Sequence, residues 1–164
     1  MTPDEVVRRL EFEALYAEYA HCLDNDRLED WPGYFTEECA YRVISAESFE
    51  AGMPLGIIYA TSRNMLVDRV MALRKANIYE PQRYRHLIAN IRPLDQTNPR
   101  EDDAGIDVTA NFIVVRTMQD GAMTLFAAGR YVDRLVRIAG EWRFARKDAV
   151  LDSRQIDTLL AIPI

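Results

Sequence analysis

The chain has 164 residues, 49% of them hydrophobic and 28% charged, with a formal net charge of −6. That size suits one compact domain, residues 1–164, with a core of its own, while the mild acidity gives no footing to nucleic acid or an anionic membrane, which need a clustered basic face. No apolar run approaches the roughly 20 residues of a membrane span, and the polar start Thr2-Pro3-Asp4-Glu5 lacks the basic and apolar regions of a signal peptide, so a cytoplasmic protein is expected.

Pro3 to about Asp24 is predicted to be a helix. Phe12, Leu15, Tyr16, Tyr19, Ala20 and Leu23 recur at i, i+3, i+4 and i+7 spacing. Val7, Leu10, Ala14 and Ala17 widen that stripe, as in a helix packed on more than one side. Asp24-Asn25-Asp26 ends it, because short polar side chains compete for the backbone and favour caps and turns. Arg27 to Phe35 reads as a second, short helix with Leu28, Trp31 and Phe35 on one side and Pro32 limiting its regularity. Ala40 to Ile44 is a short strand candidate. Across 45–60, Gly52 and Pro54 argue for a turn and Leu55 to Ala60 for another strand. Thr61 or Ser62 can cap a third helix running to about Asn77, with Met65, Leu66, Val70 and Leu73 on its buried face.

From about residue 82 the character changes. Gln82–Leu94, Ile106–Met118, Ala122–Ile138 and Glu141–Leu151 are long β-candidates rich in Val, Ile, Phe, Tyr and Thr. Asp120-Gly121 and Ala139-Gly140 are short turns between them, so those neighbours should pair as antiparallel hairpins. Asn98-Pro99 falls in a charged loop, with Arg100-Glu101-Asp102-Asp103 at its solvated tip. Helices followed by consecutive strands point to an α+β fold. The element order resembles the cone-shaped, nuclear transport factor-like (cystatin-like) fold shared by ketosteroid isomerase and scytalone dehydratase. There a curved antiparallel sheet wraps around an N-terminal helix and leaves a pocket. Such a match constrains architecture more than function.

His21 and His86 are the whole histidine complement. A Rieske cluster needs two Cys and two His, and a 2-His-1-carboxylate iron site two more histidines, so one chain cannot supply both. Cys22 and Cys39 are too few for a disulfide framework and read as buried free thiols. P-loop, G-x-G-x-x-G and G-x-S-x-G patterns do not occur.

One constellation can carry chemistry: Asp24, Tyr41 and His86. In a cone, the end of the first helix, the first strand and a later strand can point into one pocket. A carboxylate orienting a histidine, with a tyrosine to polarise a carbonyl, could run a dehydration or isomerisation. The structural reading has Asp24 capping a helix end, Tyr41 packed in the core and His86 hydrogen-bonded or at a subunit contact. Within Arg83-Tyr84-Arg85-His86, Tyr84 and His86 should share one face and the arginines the other. His21 is expected to be a packing or surface residue, and Arg69, Arg74 and Lys75 to line the exposed side of the third helix. The apolar tail Ile156–Ile164 must be buried against its own domain or a partner, since a free one would expose a large patch.

Several stretches together resemble the β (small) subunits of Rieske-type aromatic-ring-hydroxylating oxygenases. They are Glu18-Tyr19-Ala20-His21-Cys22-Leu23-Asp24, Trp31-Pro32-Gly33-Tyr34-Phe35-Thr36, Tyr41-Arg42-Val43, Met65-Leu66-Val67-Asp68-Arg69-Val70, Arg85-His86-Leu87-Ile88 with Asn90, Phe126-Ala127-Ala128-Gly129-Arg130-Tyr131 and Val150-Leu151-Asp152-Ser153. Ala76-Asn77-Ile78-Tyr79-Glu80 and Asp157 to Ile164 look like the branch acting on aromatic carboxylates, that of terephthalate 1,2-dioxygenase and the salicylate hydroxylases. The resemblance implies a structural subunit in an α3β3 heterohexamer. In that assembly the α subunit carries the Rieske [2Fe–2S] cluster and the mononuclear iron, and a reductase supplies electrons. It implies no catalytic, cofactor-binding or metal residue in this chain. Scytalone dehydratase-like enzymes add a second pocket histidine, and Phe126 to Tyr131 contains none.

Overall fold

The computed structural model describes residues 2–76, 79–94, 105–154 and 160–164. Helix α1 (Pro3–Asp24) starts in a capping box, with Thr2 accepting from the Glu5 amide and Glu5 reaching back to the Thr2 amide. It ends where the Asn25 side chain and amide both return to the His21 carbonyl. A 3-10 turn (Trp31–Tyr34) leads into β1 (Phe35–Ser45), then come α2 (Ala46–Glu50), β2 (Ile58–Ala60) and α3 (Arg63–Lys75). Four long strands follow: β3 (Gln82–Pro93), β4 (Ile106–Met118), β5 (Met123–Ile138) and β6 (Glu141–Leu151).

All six strands form one curved sheet in the order β2-β1-β6-β5-β4-β3. The β5–β6 hairpin closes through two residues, Ala139 and Gly140, at φ 52° and 84°. Positive φ at both positions is the type I′ pattern, whose twist matches the flanking strands. Register breaks at Ala89/Arg92, Val114/Val115 and Arg134/Leu135 bend the sheet. The curved, mainly antiparallel sheet is the one expected, and it contains one parallel pair, β1–β6. Hydrophobic alternation places side chains on a face but does not encode the direction of the neighbouring strand.

Helix α1 lies on the inner face of this sheet and is held there by aromatic rings. Phe12 meets Trp142 edge-on at 5.2 Å, and Tyr16 and Tyr19 meet Phe144 at 5.6 and 5.5 Å. Its buried residues are Phe12, Tyr16, Tyr19, Cys22 and Leu23, whereas Val7 and Leu10 of the widened stripe are exposed.

Other expectations are corrected. Arg27 to Phe35 is not an α-helix: Leu28–Asp30 form a turn, Trp31–Tyr34 a 3-10 segment, and Phe35 already begins β1. Pro32, in the first turn of that 3-10 segment, has no amide hydrogen to extend it. The strand expected at Ala40–Ile44 runs from Phe35 to Ser45. Helix α2 was not foreseen; the Ser45 side chain caps it by accepting from the Ser48 amide. In α3 the cap is Ser62, the helix ends at Lys75, and Met65 is exposed. The loop holding Asn98-Pro99 and Arg100 to Asp103 lies outside the described residues.

Candidate functional site

Asp24 closes α1, and β3 is a free edge of the sheet. The Asp24 carboxylate accepts the His86 backbone N–H at 2.9 and 3.2 Å and lies 2.6 Å from His86 Nδ1. One side chain thus satisfies an edge-strand amide and orients an imidazole, tying the helix end to the sheet. Both side chains are buried, at 5% and 0% exposure. As the period-two reading requires, Tyr84 and His86 face inward while Arg83 and Arg85 are exposed. His86 Nε2 is buried and has no hydrogen-bond partner among the described residues.

Tyr41 does not complete the trio. Its hydroxyl donates to the Ile164 carbonyl at 3.0 Å and accepts the Ile164 amide at 3.2 Å. Tyr19 donates to the same carbonyl at 3.1 Å and accepts from Trp31 Nε1. The Arg69 guanidinium reaches the Leu160 carbonyl at 3.0 Å. Leu160, Ala161, Ile162 and Ile164 are therefore buried against the chain's own core; residues 156–159 of the expected tail lie outside the described residues. Burial pushes the Tyr41 phenol up to about 12, so it stays protonated. The structure brings together two of the three candidates and assigns the third to the tail.

Arg74 reaches across from α3 to Asp26 and Glu29, so it ties α3 to the segment after α1. His21 is exposed. Cys22 and Cys39 are buried free thiols, Cys22 donating to the Arg27 carbonyl, and burial raises both pKa values, Cys22 to about 11. Among the described residues no three His, Cys, Asp or Glu side chains form a group able to hold a metal, and no helix is long and apolar enough to cross a membrane.

A second buried cluster was missed from the sequence. Lys147 on β6 faces Asp133 on β5 across the ladder, Nζ to carboxylate 2.9 Å, and Tyr16 donates to the same oxygen at 2.5 Å. The ammonium lies 3.4 Å from the Tyr131 ring centroid and within 5 Å of the Tyr16, Tyr19 and Phe144 rings. Burial lowers the Lys147 pKa to about 8 against the opposing pull of Asp133, and burial raises the Asp133 carboxyl. The signal was present in Tyr131-x-Asp133-x-Leu135: strand alternation puts Asp133 among buried residues, where a carboxylate needs a cation. Across the β1–β6 pair, Asp148 takes a two-pronged contact from Arg42 of β1 at 2.9 and 3.0 Å, and Arg42 also donates to the Met53 carbonyl at 2.9 Å.

A half-open groove of about 480 Å³ separates α1 from β3; Glu13, Tyr16, Ala20, Asp24, His86 and Asn90 are among its lining.

These features define a cone-shaped α+β protein whose sheet curves over an N-terminal helix. The chain belongs to the ring hydroxylating beta subunit family, whose sequence model matches residues 18–158. The small subunit of anthranilate 1,2-dioxygenase from Burkholderia cepacia is 40% identical over 94% of this chain and 92% of its own length. A beta subunit of the terminal oxygenase component of terephthalate 1,2-dioxygenase from Comamonas sp. is 38% identical over 97% of this chain and its full length. Among solved structures, one described as the beta subunit of an aromatic-ring-hydroxylating dioxygenase from Novosphingobium aromaticivorans superposes with a TM-score of 0.85. It is 36% identical and covers 98% of this chain and 99% of its own. The chain is thus a component of an aromatic-ring-hydroxylating oxygenase, as the sequence resemblance implies.

Proposed function

We propose that this chain, as a single-domain unit, is the non-catalytic structural subunit of a multicomponent oxygenase acting on an aromatic carboxylate. Its role is to stabilise an assembly of large subunits, in a three-plus-three arrangement, with a reductase delivering electrons. The Rieske cluster and mononuclear iron belong to the large subunit in this reading. The carrying observation is likeness over almost the whole chain to subunits named small or beta. The substrate class rests on two relatives named for aromatic carboxylates, anthranilate and terephthalate. At 40% and 38% identity they support the class, and terephthalate is one candidate within it.

Local geometry supports a structural role for the residues that looked most chemical. Asp24 is engaged by an edge amide and an imidazole at once, and the Tyr41 hydroxyl is engaged by Ile164. The test is co-expression with a large subunit carrying Cys-x-His and Cys-x-x-His ligand pairs. The pair should co-purify with iron, in a mass fitting three of each chain, and hydroxylate anthranilate or terephthalate once a reductase is added. The small chain alone should hold no iron and turn over neither. Failure to co-purify, or ring hydroxylation by the isolated chain, overturns the reading.

A second reading, a stand-alone dehydratase or isomerase, draws on the Asp24–His86 pair. A His86→Ala chain giving full oxygenase activity in the reconstituted complex removes a direct chemical role for that histidine in ring hydroxylation.

A further inference from the structure

Two apolar patches stand exposed at opposite edges of the sheet, whose outermost strands are β2 and β3. The first is a ridge of Met53, Leu55, Ile57 and Tyr59 that leads into β2, with exposures from 43% at Tyr59 to 65% at Leu55. Residues 51–62 hold no charged side chain, in a chain that is 28% charged. The ridge is fixed from beneath. Arg42, gripped by Asp148, donates to the Met53 and Pro54 carbonyls at 2.9 and 3.3 Å, and the Ile57 amide donates to the Val43 carbonyl at 2.7 Å. Gly56 lies so near that carbonyl that a Cβ would stand 2.2 Å from its oxygen. A buried ion pair thus holds apolar side chains out to solvent, which serves a partner and not the chain's own core.

The second patch follows from strand register. Leu87 of β3 lies beside Ile113 of β4, and Ile113 beside Ala128 of β5. In the same way Arg85, Val115 and Leu125 form one row, and Arg83, Thr117 and Met123 the next. Tyr84 and His86 face inward, so these rows lie on the outer face. Leu87, Ile113, Leu125 and Met123 are exposed, from 42% at Ile113 to 71% at Met123. A charge-poor apolar centre with methionine is the composition of an interface core.

The borders of the two patches are opposite in sign. Arg83 and Arg85 are exposed beside the β3–β5 patch and make no ion pair among the described residues. Glu47 and Glu50 of α2, both exposed, precede the ridge. Between the patches the outer face carries Arg130, Arg134 and Arg146, so two copies laid face to face would oppose like charges. Contact from edge to edge avoids that. We propose that copies of this chain join head to tail, the ridge of one seated on the β3–β5 patch of the next, and that these contacts close a ring. This goes beyond the function proposed above, which requires only that the chain meet a large subunit.

The test is the solution mass of the full chain alone, by sedimentation equilibrium. An assembly larger than a dimer is expected, of three copies where it matches the three-plus-three arrangement. Leu55→Asp spoils the ridge and leaves the patch, and Leu125→Asp does the reverse. Both positions are exposed, so both variants should keep the wild-type unfolding temperature. Each alone should be a monomer. Their equimolar mixture should stop at a one-to-one dimer, because one intact ridge then meets one intact patch. Arg83→Glu with Arg85→Glu, which leaves both apolar patches in place, should weaken assembly by about tenfold. Val7→Asp, at an exposed apolar position on α1, should assemble like wild type. A wild-type monomer, a dimer or open-ended growth overturns the proposal. So does either leucine variant that assembles like wild type, a mixture that stays monomeric, or an arginine variant with undiminished assembly. These masses are read without a large subunit, so this contact and co-purification fail independently.

Discussion

Lys147 and Asp133 form an ion pair at 2.9 Å in which both side chains are fully buried. Desolvating two charges is expensive, and only close geometry with further contacts offsets it. Here the Tyr16 hydroxyl and four aromatic rings supply those contacts, and the pair staples β5 to β6 directly beneath α1. Removing one partner strands the other. Lys147→Met or Asp133→Asn alone should cost about 3–5 kcal/mol, and the double variant should return to within about 2 kcal/mol of wild type. Urea denaturation of all four proteins measures the coupling; additive losses would mean that the pair is not energetically joined.

The same lysine makes a prediction about pH. In the folded chain its pKa is lowered by burial to about 8, against 10.5 for a free lysine. Between those values the unfolded chain binds more protons than the folded one, so the stability contributed by this group rises with pH. The contribution is smallest below about 8, where the buried amine must carry its charge in both states. Relative to the Lys147→Met/Asp133→Asn protein, wild type should therefore gain stability from about pH 8 to 10.5. Parallel unfolding curves for the two proteins across that window would show that the lysine is not depressed.

Much of the architecture was legible because strand alternation and turn chemistry agreed. Strand β4 was read at both ends, since Val, Ile and Phe alternate between Ile106 and Met118 and the turn at Asp120-Gly121 follows. The first half of β1 was not, because Thr36-Glu37-Glu38 is polar and its pairing with β6 is interrupted between Phe35 and Ala40. In the site, the Asp24–His86 meeting followed from placing a helix end beside an inward strand position. The Tyr41–Ile164 contact spans 123 residues. No local pattern encodes it, since tail burial says only that apolar residues must be covered.

Asp24 is the hinge between α1 and the sheet edge. Asp24→Ala removes an acceptor from a backbone N–H and a ring N–H at once, and a hydrogen bond to a charged group contributes about 1.5–3 kcal/mol. A loss of about that size is expected, with faster amide hydrogen exchange at His86 than at interior β4 residues such as Phe112. Exchange at His86 that matches wild type would mean the clamp does not protect the edge.

The tail is held by backbone recognition as well as by apolar burial. Tyr41 both donates to and accepts from Ile164, and Tyr19 adds a second donor to the same carbonyl. Tyr41→Phe leaves the ring, with its edge contact to Trp31 at 5.1 Å, and deletes only the hydroxyl. The Ile164 amide then loses its acceptor, while its carbonyl keeps Tyr19. The variant should lose about 1–3 kcal/mol, the range for a buried group left unsatisfied. Its Ile164 amide should exchange faster while Val114 in the centre of β4 stays protected. Tyr19→Phe, which leaves the amide–Tyr41 bond intact, should protect Ile164 better than Tyr41→Phe does. The reverse order would mean that Tyr19, not Tyr41, anchors the tail.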